Sequence, residues 1–126
     1  MQQTFQKVER LKSKVVIGEL ISKGNAIKKY PFVILWKKAE SNQEFPIRIA
    51  FSIPKKRFPL AVDRNQMKRK INEIYRQHKA HLYTSLKDQY AILLIFTSSE
   101  KMTSLAIKNK LILLFDRFIL DVEKTN

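Results

Sequence analysis

Between residues 55 and 79 the chain reads KKRFPLAVDRNQMKRKINEIYRQHK, with Lys or Arg at 55, 56, 57, 64, 68, 69, 70, 76 and 79 and acids only at Asp63 and Glu73. On a helical wheel, Met67, Ile71, Ile74, Tyr75, His78 and Leu82 share an arc of roughly 100°, the width of a stripe that faces a core. The spacing predicts a helix over about 64–82. Beside that stripe, Asn65, Lys68, Arg69, Asn72, Arg76 and Lys79 share a second arc of similar width. Lys and Arg bridge phosphate oxygens, and Asn offers both a donor and an acceptor to a phosphate, a sugar hydroxyl or a base edge. The chemistry of this face is therefore binding of a nucleic acid. The plain alternative, a solvated surface charged for solubility, would ordinarily mix acids into the arc.

Other constellations carry less. His78 and His81 have the i, i+3 spacing of a metal pair, but the chain has no cysteine and His78 falls on the apolar stripe, so we read a packed or helix-end histidine. Asp63, Glu73, Asp88 and Asp116 are scattered and form no two-metal nuclease pattern. With glycine only at 18 and 24, Walker-type and dinucleotide-binding loops are excluded. No catalytic side chain is assigned, and no protein-held metal.

Composition points the same way. The 126 residues carry a net charge of +14 with 44% hydrophobic residues, so the chain can fold as one basic domain, 1–126, and calls for a polyanionic partner. Nucleic acid and an anionic membrane surface both qualify. No apolar run is long enough to span a bilayer and the N-terminus lacks a secretory pattern, which leads us to expect a cytoplasmic protein without a membrane role.

The elements that must position the basic helix follow in order. Residues 1–12 are polar and basic and are expected to form a flexible arm, mobile or loosely docked. Ser13 is a candidate N-cap for a short helix over about 14–23, and Gly24 sits where that helix would end in the left-handed conformation. Residues 25–29 and 32–36 read as strands, the second largely buried, and the polar stretch 38–44 is expected to close a hairpin onto a strand at 48–53. Pro54 and Pro59 enforce an irregular connection that carries Lys55, Lys56 and Arg57. YAILLIFT at 90–97 is the most apolar strand and is expected at the centre of the sheet. A final amphipathic helix follows a cap at Thr103 or Ser104, with Leu105, Leu111, Leu114, Phe115, Phe118, Ile119 and Val122 as its apolar positions. The order implies an α+β two-layer sandwich.

At this point the residues resemble a known family. RIAFSIPKK at 48–56, Ala61-Val62-Asp63-Arg64-Asn65, Lys68-Arg69, Glu73 and Tyr75-Arg76 are similar to the signature of the bacterial ribonuclease P protein component, and Arg10-Leu11-Lys12, Gly24 and Phe32 fall in register. The resemblance implies the element order α-β-β-β-α-β-α and a four-stranded sheet with a left-handed β-α-β crossover, a rarity among parallel connections. It implies that the protein binds a catalytic RNA subunit through Lys55, Lys56, Arg64, Asn65, Lys68, Arg69, Asn72 and Arg76. A cleft between the first helix and the sheet would hold the 5′ leader of precursor tRNA, with Lys12, Ile17 and Ile21 as candidate contacts; Phe32, Trp36 and Phe51 are alternatives for a stacking platform, although residues of this kind more often belong to the core. Magnesium ions, bound mainly by the RNA, would support cleavage, and the free protein would be monomeric. The chain departs from the pattern at Gln66 and Asn72, where arginines are usual, at Pro59-Leu60 in place of Gly-Asn, and at Ile17 and Ile21 in place of phenylalanines. A ribosome-associated RNA-binding module without a catalytic partner is the competing function. A DNA-binding helix is the weaker third, because no partner helix precedes residue 64.

Overall fold

The computed structural model describes residues 9–39 and 43–125. The elements run α1 (Lys14–Lys23), β1 (Asn25–Lys29), β2 (Phe32–Lys38), β3 (Ile47–Ser52), α2 (Ala61–Thr84), β4 (Tyr90–Phe96) and α3 (Ser104–Thr125). They form one mixed sheet in the order β1-β2-β4-β3, an α+β architecture as expected.

The run YAILLIF dictates this order. Six of its seven residues are buried, so the strand needs a neighbour on both edges and a layer on both faces. Strand β4 obtains the neighbours by lying between β2, antiparallel with Phe32 opposite Phe96, and β3, parallel with Ile47 opposite Tyr90. The expected hairpin across 38–44 is therefore corrected: β2 and β3 are not paired, because β4 occupies the place between them. Their connection is clamped to β4 instead. The Gln43 amide N–H donates to Gln89 Oε1 at 2.8 Å, Gln89 Nε2 donates back to the Gln43 carbonyl at 2.6 Å, and the Tyr90 N–H donates to the Pro46 carbonyl at 2.8 Å.

Alternation along the strands divides the core in two. Phe32, Ile34, Trp36, Ile92, Leu94 and Phe96 point to one face, where Met67, Ile71 and Tyr75 of α2 and Leu111, Leu114 and Phe118 of α3 cover them. Ala91 and Leu93 point to the other, where Leu20 and the partly buried Val16 and Ile17 of α1 lie over them. Trp36 sits edge-on to both Tyr90 and Phe118, with ring centroids 5.6 Å apart in each pair.

Local signals explain most helix ends, although Gly24 closes α1 in extended backbone, with φ −67°, and not in the expected left-handed conformation. Ser13 accepts from the Val16 N–H at 3.3 Å and Thr103 Oγ1 from the Ala106 N–H at 3.2 Å, as N-caps do. Helix α2 begins three residues before the expected start, directly after Pro59 and Leu60, where no side chain caps it. Arg64 supports this entry, with Nη1 donating to the carbonyls of Phe58 at 2.8 Å and Pro59 at 2.9 Å.

Of the two alternatives for the N-terminal arm, residues 9–12 take the docked one; residues 1–8 lie outside the described residues. Arg10 bridges Ile49 in parallel and the Leu11 N–H donates to the Ile49 carbonyl at 3.0 Å, so this segment lines the outer edge of β3. Leu11 is buried with Leu20 and Leu93.

The two glycines make opposite predictions. A Cβ at Gly24 would stand 2.5 Å from the Leu20 carbonyl oxygen, a backbone atom that ends α1, whereas one at Gly18 meets nothing within 4 Å. Gly24→Ala should lower stability by about 1 to 3 kcal/mol, as overpacking does. Gly18→Ala, exposed in mid-helix, should raise it by about 0.5 to 1 kcal/mol. Urea denaturation of both variants checks the pair of signs.

Candidate nucleic-acid interface

Asn65, Lys68 and Arg69 lie exposed along α2, while Met67 and Ile71 of the same turns are buried to 1%. None of the three polar side chains makes a hydrogen bond or ion pair among the described residues, so all are available to a partner. Lys55 and Lys56 are exposed in the turn that precedes α2, which Pro54 closes by accepting the N–H groups of Arg57 and Phe58. These residues form a cationic row running from the turn onto the helix.

The remaining predicted residues of that row have other work. Arg64 is half-buried and holds the entry to α2. Arg76 is ion-paired with Glu73 one turn back, and the Arg76 hydrogen bond is the main reason that the Glu73 carboxyl is held below its ordinary range. Asn72 is half-buried with Oδ1 enclosed and, among the described residues, without a hydrogen-bond partner. It lines a cleft of about 280 Å3 between α2 and the edge of β3, together with Lys68, Phe51, Arg10 and Lys12.

Lys79 leaves the surface entirely. Grouped with the cationic arc by its wheel position, it is only 2% exposed, and its Nζ donates to both carboxylate oxygens of the fully buried Glu9 at 2.7 and 2.8 Å. Tyr83 donates to Glu9 Oε2 at 2.5 Å, and Tyr75 to the Tyr83 hydroxyl at 3.2 Å. A buried charge persists only with such pairing. The three partners on α2 recur at i, i+4 and i+8, a spacing visible in the sequence, but nothing there shows that Glu9 returns to meet them. Arg10 and Lys12 flank Glu9 and Leu11, so this ion pair and the Leu11 contact set where both cations stand.

The candidate leader residues separate. Lys12 and Ile21 are exposed and Ile17 is half-buried against the α1 side of the sheet. Phe32 and Trp36 are corrected as stacking groups for a cleft at α1: strand alternation turns both to the opposite face, where they are 0% and 5% exposed beneath the other two helices. Phe51 is half-buried on that same face, edge-on to Tyr75 at 5.8 Å. Arg10 is the cleft residue that side-chain chemistry alone did not select; its signal was the alternation of Arg10, Leu11 and Lys12.

Among the described residues, no three His, Cys, Asp or Glu side chains come together in a way that could hold a metal ion, and His78 and His81 acquire no third ligand. No described helix is long and apolar enough to cross a membrane. Fold and surface thus define a small basic α+β domain with an exposed cationic helix face suited to a polyanion. The chain belongs to the ribonuclease P family, whose profile, described as "Ribonuclease P", matches residues 5–119. It is 30% identical over 96 residues to the ribonuclease P protein component of Chlorobaculum tepidum, a match covering 70% of this chain and 62% of that protein's length. Against the ribonuclease P protein component of Porphyromonas gingivalis it is 30% identical over 98 residues, covering 76% and 72%. The structure of the Staphylococcus aureus RNase P protein superposes with a TM-score of 0.72 at 27% identity, covering 87% of this chain and 94% of that one.

The buried pair can be tested by stability. Glu9→Ala leaves the Lys79 ammonium enclosed without its carboxylate and should cost about 3 to 5 kcal/mol, whereas Glu9→Leu combined with Lys79→Met should cost less than either single replacement. Denaturant midpoints for the full cycle measure this. Burial pushes the hydroxyls of Tyr75 and Tyr83 well above the ordinary phenol range, and for Tyr83 the neighbouring Tyr75 and Glu9 add to it. Folding therefore retains protons that the unfolded chain releases near pH 10, so this stability is present below about pH 10 and is lost as the pH rises further. In an alkaline titration, tyrosinate absorbance from these two residues should appear together with unfolding.

Proposed function

We propose that this protein is the protein subunit of ribonuclease P, binding the catalytic RNA of that enzyme through the outer face of α2 and assisting removal of the 5′ leader from precursor tRNA. The observation that carries the reading is the row Asn65, Lys68 and Arg69, exposed and without partners among the described residues, beside a cleft that brings Lys12 and Arg10 to Lys68. Family membership supports the enzyme context. The row is continuous with Lys55 and Lys56, and the cleft leads towards the N-terminal end of α1, where single-stranded leader would lie.

In this reading the chemistry belongs to the RNA. Among the described residues no three His, Cys, Asp or Glu side chains come together, and in this reading the magnesium ions are assigned mainly to the RNA. The protein contributes cations that neutralise phosphates and an edge that fixes the position of the leader.

Four outcomes are expected. Each of Lys68→Ala and Arg69→Ala should flatten the dependence of log K on log salt for the RNA subunit by roughly 0.7 to 0.9, through lost counterion release. Asn65→Ala should weaken binding by about 1 to 3 kcal/mol with the slope unchanged. Protein freed of RNA should not cleave precursor tRNA in magnesium, and the reconstituted particle should bind precursor more tightly than mature tRNA at one salt concentration. Filter-binding titrations decide the matter: parental affinity and slope in all three folded variants would rule out the α2 row as the RNA-binding face.

A further inference from the structure

The outer face of α2 is a ridge with a depression on each flank. Lys68 and Asn72 belong to the cleft shared with Arg10 and Lys12. Arg69 and Lys70, next in sequence, belong to the other flank, where the first turns of α3 lie across from α2. A groove of about 460 Å3 runs there between Arg69, Lys70 and Ile74 on one wall and Leu105 and Lys108 on the other.

Its charge and its form both limit what it can hold. Three cations line it against one acid, Glu73, whose carboxylate is already paired with Arg76 on its own helix. Lys70 Nζ donates to the Met102 carbonyl at 3.1 Å, and Lys101 pairs with Asp63 at 2.9 Å, so the segment leading into α3 is tied to α2 at two points and the walls keep their separation. The lining is not purely ionic. Ile74 is buried at its base, while Leu105 is 66% exposed at its margin. Cations spaced along a partly apolar channel complement a sugar–phosphate strand, with phosphates against the charges and sugar or base against Leu105. An acidic peptide would share the charge, but the groove is continuous with the cationic row through Arg69, which favours a polynucleotide.

We infer that the groove between α2 and α3 is a second polynucleotide site, holding the backbone of an RNA segment distinct from the one along the cleft at β3, with Lys108 as its outermost contact. The inference rests on the RNA-binding reading above and extends it: RNA engages both flanks of α2, and α3 has a surface role besides closing the core.

The test is a salt titration of binding to the ribonuclease P RNA transcribed from the same genome, using Lys108→Gln, Lys108→Arg, Lys68→Gln and, as a control far along the fold, Lys87→Gln. Lys108→Gln should lower the slope of log K against log salt by roughly 0.7 to 0.9 and weaken binding roughly fivefold to tenfold at 0.1 M salt. Lys108→Arg should keep the parental slope, Lys87→Gln should resemble the parent, and the Lys68→Gln and Lys108→Gln losses should add in the double variant. A parental slope for Lys108→Gln overturns the inference, as does an equal loss in Lys87→Gln, which would mean diffuse charge and no groove contact. If Lys68→Gln loses slope while Lys108→Gln does not, the groove fails and the α2 row stands. If neither changes, the RNA-binding reading fails with it.

Discussion

Strand β4 is buried at six of its seven residues. A strand buried to this extent must find hydrogen-bond partners on both edges, because an orphaned amide away from solvent costs about as much as a lost hydrogen bond. The rest of the fold follows from that requirement. β2 and β3 are drawn to its two sides, α1 covers one face, and α2 and α3 cover the other. Since β3 precedes β4 and runs parallel to it, the connection must cross the sheet, and α2 is that connection. The helix that carries the cationic row is thus fixed in place by the sheet's central constraint.

Helix α2 serves two solvents at once. Its inner positions, Met67, Ile71, Ile74 and Tyr75, fill the core, and the intervening positions are free to be polar. This separation lets Asn65, Lys68 and Arg69 serve a ligand without loosening the packing. The same geometry assigns the exceptions: Arg64 and Arg76 bond to neighbouring protein groups, and Lys79 is drawn inward by Glu9. A run of basic residues that is uniform in sequence becomes three populations in space.

Local information in the chain was highly legible. Ser13 and Gly24 mark helix ends, the apolar density of 90–96 marks the central strand, and the stripe of α2 separates its buried face from its exposed one. What was not legible depended on contacts distant in sequence. The stretch 38–44 looks like a hairpin because turn chemistry is local, whereas the insertion of β4 is a sheet-wide outcome. Phe32 and Trp36 have the composition of a stacking platform, but which face they join depends on where the helices cross. Glu9 is an ordinary acid in a polar segment until a lysine and a tyrosine 70 and 74 positions later enclose it.

That separation has a consequence for the order in which the molecule is made. Chains are synthesised from the N-terminus over seconds, and long-range contacts must wait for their second partner. When Glu9 leaves the ribosome, Lys79 and Tyr83 have not been translated, and β4, which joins β2 to β3, comes later still. Until then the N-terminal segment has no completed edge to line and Arg10 and Lys12 face no cleft. The cleft between α2 and β3 is therefore assembled in one late step and not built up gradually. A nascent chain that already carries Arg10, Lys12 and Lys14 presents charge to cellular RNA well before it presents shape.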